Sequence, residues 1–184
     1  MRKLPRLLWI VCVIVMFAPG ELAARPRTFV AGQSVRMKVD VPAGYSFTTQ
    51  NGANGMVLVT MENPVWNIGI KVLISPEYTA ATDSEEWQRN LVVSQSADFL
   101  AQSKEQDYKF SSLKPAQGSG VYCVFTDPEA GRIEDLKPGE YMHVVVGAKV
   151  IKGAVMYFQI FNNDVKSEEY REVFELFVNG FDEA

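Results

Sequence analysis

Val35, Met37, Val39 and Val41 alternate with Arg36, Lys38 and Asp40, the two-residue period of a strand with one buried face. The alternation stops at Pro42-Ala43-Gly44 and resumes with Tyr45 and Phe47, which predicts a turn and then a short strand over 45–49. Asn51-Gly52-Ala53-Asn54-Gly55 supplies residues that accept positive φ, and a strand over 56–62 follows. Asn63-Pro64 predicts another turn, because proline cannot donate into a ladder. Beyond it Trp66, Ile68, Ile70, Val72 and Ile74 fall on one face of a long strand, with Asn67, Gly69 and Lys71 on the other.

The period changes over 83–104. Thr82 and Glu85 have capping-box spacing, and Asp83, Glu85 and Glu86 suit the positive end of a helix dipole. Trp87, Leu91, Val93, Ala97 and Leu100 make the expected buried stripe. Four more strands are predicted near 107–115, 119–127, 140–150 and 154–162, with Gly118-Ser119-Gly120 and Lys152-Gly153 turning two hairpins. The strands over 119–127 and 154–162 are apolar on both sides, which predicts central positions covered by two layers. A last helix is predicted over 167–181, capped by Ser167, with Tyr170, Val173, Phe174, Phe177, Val178 and Phe181 at helical spacing. Adjacent strands joined by short turns, plus two helices, imply an α+β fold. The expectation is a largely antiparallel sheet of about seven or eight strands with helices packed on both faces.

The ends of the chain add a location. Arg2, Lys3 and Arg6 precede the apolar run Leu7 to Ala18, then Pro19-Gly20 and Leu22-Ala23-Ala24. At about 1.5 Å per residue that run spans roughly 18 Å, short of a bilayer core of roughly 30 Å. This predicts a signal peptide over 1–24, cut after Ala24, with Ala23 or Gly20 as alternatives. A flexible segment over 25–34 and a single domain over 35–184 would follow, with no transmembrane segment after processing. Cys12 lacks the small preceding residue of a lipoprotein site. The processed chain carries 15 basic and 21 acidic residues, a net charge of −6, and no basic stripe, which argues against nucleic acid and anionic lipid as partners. Only Cys123 survives processing, so no internal disulfide can form and the core must hold the domain unaided.

The strand ending in "VPAGYSF", the helix opened by "TDSEEW" and the closing "SEEYREVFELFVNGF" together resemble the PsbP-like superfamily, which includes bacterial envelope proteins of the DcrB type. Pro42, Gly44 and Tyr45 match that group's turn after the first strand, and Phe174, Phe177 and Phe181 match its Phe-rich final helix. The resemblance implies an α/β/α sandwich and a non-catalytic accessory role.

Candidate chemistry is sparse. His143 is the single histidine, so a common zinc set cannot be completed, and a hydrogen-bonded structural role is expected. Cys123 could act as a nucleophile only with His143 as its base, and its apolar strand predicts a buried, inert thiol instead. The stretch 127–140 gathers Asp127, Glu129, Glu134, Asp135 and Glu140 without the spacing of a calcium loop. It reads as a solvated connection whose Glu129, Arg132, Glu134 and Asp135 are candidate partner contacts. No nucleophile elbow or phosphate loop is present, and no cofactor is called for.

The expected function is that of a secreted or periplasmic accessory protein binding another envelope protein. Two alternatives stand beside it. One is a carrier of a small apolar ligand, with a pocket between sheet and helix lined by Trp66 and Tyr157. The other is an enzyme of unknown class.

Overall fold

A computed structural model describes residues 25–183 apart from 34 and 152; the signal peptide expected over 1–24 lies outside the described residues. The strands are β1 (Arg25–Ala31), β2 (Val35–Val41), β3 (Ser46–Asn51), β4 (Val57–Asn63), β5 (Ile68–Ser75), β6 (Ser111–Leu113), β7 (Ser119–Thr126), β8 (His143–Ile151), β9 (Ala154–Asn162) and β10 (Phe181–Glu183). Helix α1 spans Glu85–Ala101 and α2 spans Glu168–Glu175. Seven strands form one antiparallel sheet in the order β3-β4-β5-β9-β8-β7-β6, and β1-β2-β10 form a small second sheet.

The broken strand at Pro42 is where the chain changes sheets. β2 belongs to the small sheet and β3 to the edge of the large one. The turn between them is closed by Tyr45 N–H donating to the Pro42 carbonyl (3.4 Å), with Gly44 at φ 80°, a conformation open chiefly to glycine. Tyr45 and Phe47 then pack against the main core.

The two faces of the large sheet feed different clusters. On one, Ile70, Val72 and Ile74 of β5 and Met156, Phe158 and Ile160 of β9 join Met37 and Val39 of β2, Val173 of α2, Phe177 and Phe181. On the other, Val121, Cys123 and Phe125 of β7, Val144, Val146 and Ala148 of β8 and Tyr157 of β9 pack with Val92 of α1. β9 is the central strand and β7 lies one in from the edge. The expectation of helices over both faces holds in part. α1 lies over β7 and β8, while the opposite face is covered by the small sheet together with the short α2.

Several local expectations are corrected. Residues 25–31, expected within a flexible segment, form β1 and pair with β2 from Arg25–Val41 to Ala31–Val35. It forms the edge of the small sheet, where Pro26 costs no central ladder bond. The cap of α1 is Ser84, whose Oγ accepts from Trp87 N–H (3.1 Å), because Thr82 is absorbed in a preceding 3-10 turn. The buried ridge of α1 is Gln88, Val92 and Ser96, leaving Val93 exposed. It is rotated from the expected stripe because Gln88 is held inward by Thr82 O (3.2 Å) and Ser119 Oγ (2.7 Å). The final helix stops at Glu175, widens into a π turn over Leu176–Gly180, and gives way to β10. Phe181 is therefore a strand residue. Lys149 stabilises this switch: buried on β8, its Nζ donates to the Val178 carbonyl (2.8 Å), one of the acceptors a helix end leaves unpaired.

Candidate functional site

Asn63 ends β4 with its side chain buried, and its Oδ1 accepts from the N–H groups of Val65 (3.0 Å) and Trp66 (3.1 Å). This Asx turn delays β5 until Ile68, so Trp66 stands in the turn and not on the strand's inner face. Val65 is left 86% exposed and Trp66 38% exposed. Trp66 packs edge-on against Tyr45, ring centroids 6.0 Å apart.

Asn67, at φ 49°, ties this turn to the long connection between β7 and β8. Its Nδ2 donates to the Glu140 carbonyl (3.0 Å) and its Oδ1 accepts from Gly139 N–H (3.1 Å). Met142 N–H donates to Asn163 Oδ1 (3.0 Å), fixing the same connection to the end of β9. The connection is therefore stitched at its far end, and Ile133–Asp135 forms a 3-10 turn within it.

Between the turn and the connection lies a surface groove of about 440 Å³. Val65 and Trp66 line one side, Ile133, Leu136 and Pro138 the other. Asp164 and Glu169 are its charged lining residues, and Asn162, 1% exposed, lines it from below. Neither the Oδ1 nor the Nδ2 of Asn162 has a hydrogen-bond partner among the described residues, and the same is true of Tyr45 Oη. Burial is the main cause holding the Tyr45 hydroxyl far above its ordinary pKa, helped by Glu172 and Glu169. These orphaned buried groups, each normally costing about 1–3 kcal/mol, belong to residues that flank Trp66.

Glu129, Arg132, Glu134 and Asp135 are all exposed on the connection. Glu134 and Asp135 fall between the groove residues Ile133 and Leu136, whereas Glu129 sits in a separate Asx turn on Asp127 (2.8 Å). The pocket expected to join Trp66 and Tyr157 does not form. Trp66 is displaced into its turn, and Tyr157 points to the opposite face, where its Oη donates to the Gln95 carbonyl of α1 (3.0 Å). The groove's apolar wall, Asn67 and Asn162 were not singled out from sequence. The available signal was the apolar pair Val65-Trp66 directly after Asn63-Pro64.

A second, smaller pocket of about 200 Å³ lies at the same end of the sheet, lined by Phe99, Phe125, Tyr141, His143 and Phe161 among others. Thr126 N–H and Oγ1 donate to Glu105 (2.7 and 2.9 Å), and Thr126 Oγ1 lies 3.2 Å from His143 Nδ1. Because the threonine proton goes to Glu105, Nδ1 is the donor in the last contact and Nε2 is left as an acceptor. Burial pushes the His143 pKa down, against the opposing pull of Glu105 and Asp164. For Glu105, burial acts upward, but the hydrogen bonds from Thr126, its own backbone and Ser103 together outweigh it and hold the carboxyl below its usual range.

Cys123 is 1% exposed on the α1 face, and burial pushes its thiol up to about 11. The thiol is protonated at neutral pH, as an inert core cysteine should be. No helix among the described residues is long and apolar enough to cross a membrane. No known family model matches the chain, and comparison with curated proteins finds no match.

Proposed function

We propose that this chain is a secreted or periplasmic, non-catalytic accessory protein that binds another envelope protein through the Trp66 groove, on a PsbP-like α/β/α framework. The observation that carries the reading is the patch of Val65, Trp66 and Ile133, 86%, 38% and 49% exposed, on either side of one groove. Clustered exposed apolar residues rimmed by polar ones mark interaction surfaces, and an aromatic anchor is the commonest kind of interface hot spot. Asn63 and Asn67 tie down the main chain beside both walls by hydrogen bonds of 3.0–3.1 Å, so little backbone entropy would be lost on docking. The framework reading draws support from the antiparallel sheet and from cover on each of its faces. Co-purification from the native envelope, comparing wild type with Trp66→Ala and Ile133→Glu, tests it. A defined envelope protein should be recovered with wild type and lost with both variants; recovery unchanged by either sinks the groove as the docking site.

A carrier function is the second reading, and its place is now the smaller pocket at Phe99 and His143. At about 200 Å³ that pocket lies below the roughly 300–1,000 Å³ common for ligand sites.

A further inference from the structure

Resting on that docking reading, we infer that the groove takes an extended, cationic and apolar peptide segment of the partner, the N–H and C=O of whose central residue both pair with the Asn162 carboxamide. Asn162 presents one donor and one acceptor side by side, both buried and both without a partner among the described residues. One residue of an extended chain offers the complementary pair, because its own N–H and C=O point to the same side, whereas those of a single trans peptide group point opposite ways. In a helix those groups are already bonded to one another, so the segment that can offer them is extended. Val65, Trp66, Ile133 and Leu136 provide the apolar walls for one of its side chains.

Charge selects the flanking residues. Asp164 and Glu169 are the charged groups among the groove's described lining residues and set its sign; on the connection the exposed Glu134 and Asp135 are matched by the exposed Arg132 and by Lys137, which is itself paired with Glu140 (3.8 Å). Lysine or arginine on either side of the apolar side chain meets these acids, whereas an acidic segment is repelled. Asn162 is covered in the free protein, so this pairing requires a neighbouring lining side chain to turn aside as the segment enters; Trp66, half-exposed and packed edge-on against Tyr45, is the one we assign. The unpaired amide is then a cost carried by the free protein and relieved on binding.

The test uses short capped peptides with a central Leu or Phe flanked by Lys, a matched set with Glu for Lys, and a third set N-methylated at the central residue. Affinity is read by fluorescence anisotropy on the full processed chain and on Asn162→Leu. The Lys peptides should bind wild type and the Glu peptides should not. N-methylation should weaken binding to wild type about tenfold, the effect of one good hydrogen bond in a dry site, and should have no further effect on N162L. N162L should bind the unmethylated peptide about tenfold more weakly yet melt at a higher temperature, because an unsatisfied group has been replaced by an apolar one. Equal binding of Lys peptides to wild type and N162L, or indifference to N-methylation, overturns the amide pairing; failure of all Lys peptides to bind overturns the occupant. Neither outcome touches the docking reading, which fails separately if Trp66→Ala leaves co-purification intact. Should N162L not fold, the N-methylated set decides alone.

Discussion

Phe177→Ala probes the joint on which the fold closes. Phe177 is fully buried in the π turn after α2, stacked between Phe158 of the central strand (5.0 Å between centroids) and Phe181 of β10 (5.3 Å). It therefore links the large sheet to the small one. Phe158 in turn lies against Gly147, where a Cβ would collide with its ring, so it has little freedom to collapse into the space left behind. A large cavity that cannot close puts the cost near the usual 3–5 kcal/mol for truncating a buried phenylalanine. At about 2–4 °C per kcal/mol for a chain of this size, the melting temperature should fall by about 6–20 °C. Against a total stability of about 5–15 kcal/mol, the variant should still fold at low temperature in most of that range. Phe174→Ala is the internal comparison. Phe174 is only partly buried, against Tyr122 (4.9 Å) and Tyr170 (5.6 Å), and its removal should cost distinctly less. Thermal melts followed by circular dichroism measure both. A Phe177→Ala melt within a degree or two of wild type, or one milder than Phe174→Ala, would refute this packing.

His143 should make stability fall on acidification. Its folded pKa is depressed by burial, so as pH drops through the ordinary value of about 6.5 the unfolded chain binds the proton first and gains relative to the folded one. His143→Gln should flatten the melting-temperature slope between about pH 7 and pH 6, above the range in which Glu105 contributes; an unchanged slope contradicts the burial argument. Cys123 should resist a thiol reagent in the native state and react once denatured, as a protonated, buried thiol must; rapid native labelling would reopen the nucleophile reading. Charge reversal at Glu129 or Glu134, both exposed, should leave stability within about 0.5 kcal/mol, and a larger loss in a denaturant melt would mean that the connection is part of the core.

What could be read from sequence was what local pattern determines. β2 alternates fully between buried and exposed residues, as Val35 to Val41 predicted, and Ile68, Ile70, Val72 and Ile74 share the inner face of β5. β1 escaped notice because its hydrophobic signal is confined to its end; pairing with β2 makes it a strand. The last helix read as continuous because Phe177 and Phe181 keep helical spacing, yet the chain leaves the helix so that Phe181 can pair opposite Val39 in the small sheet. The groove was harder still. Acids dominate the composition of the 127–140 stretch and mask Ile133, Leu136 and Pro138, whose placement depends on Asn67, some seventy residues away. Asn162 resembles any polar strand end until its burial and its missing partners are seen together.

A photo-crosslinking amino acid placed at residue 66, in the native host, tests the docking surface most directly. A control placed at Asn90, exposed on α1, reports on chance encounters. The groove account predicts one dominant adduct with a single envelope protein from position 66 and none from position 90. No adduct at 66, or the same diffuse set of adducts at both positions, would contradict it.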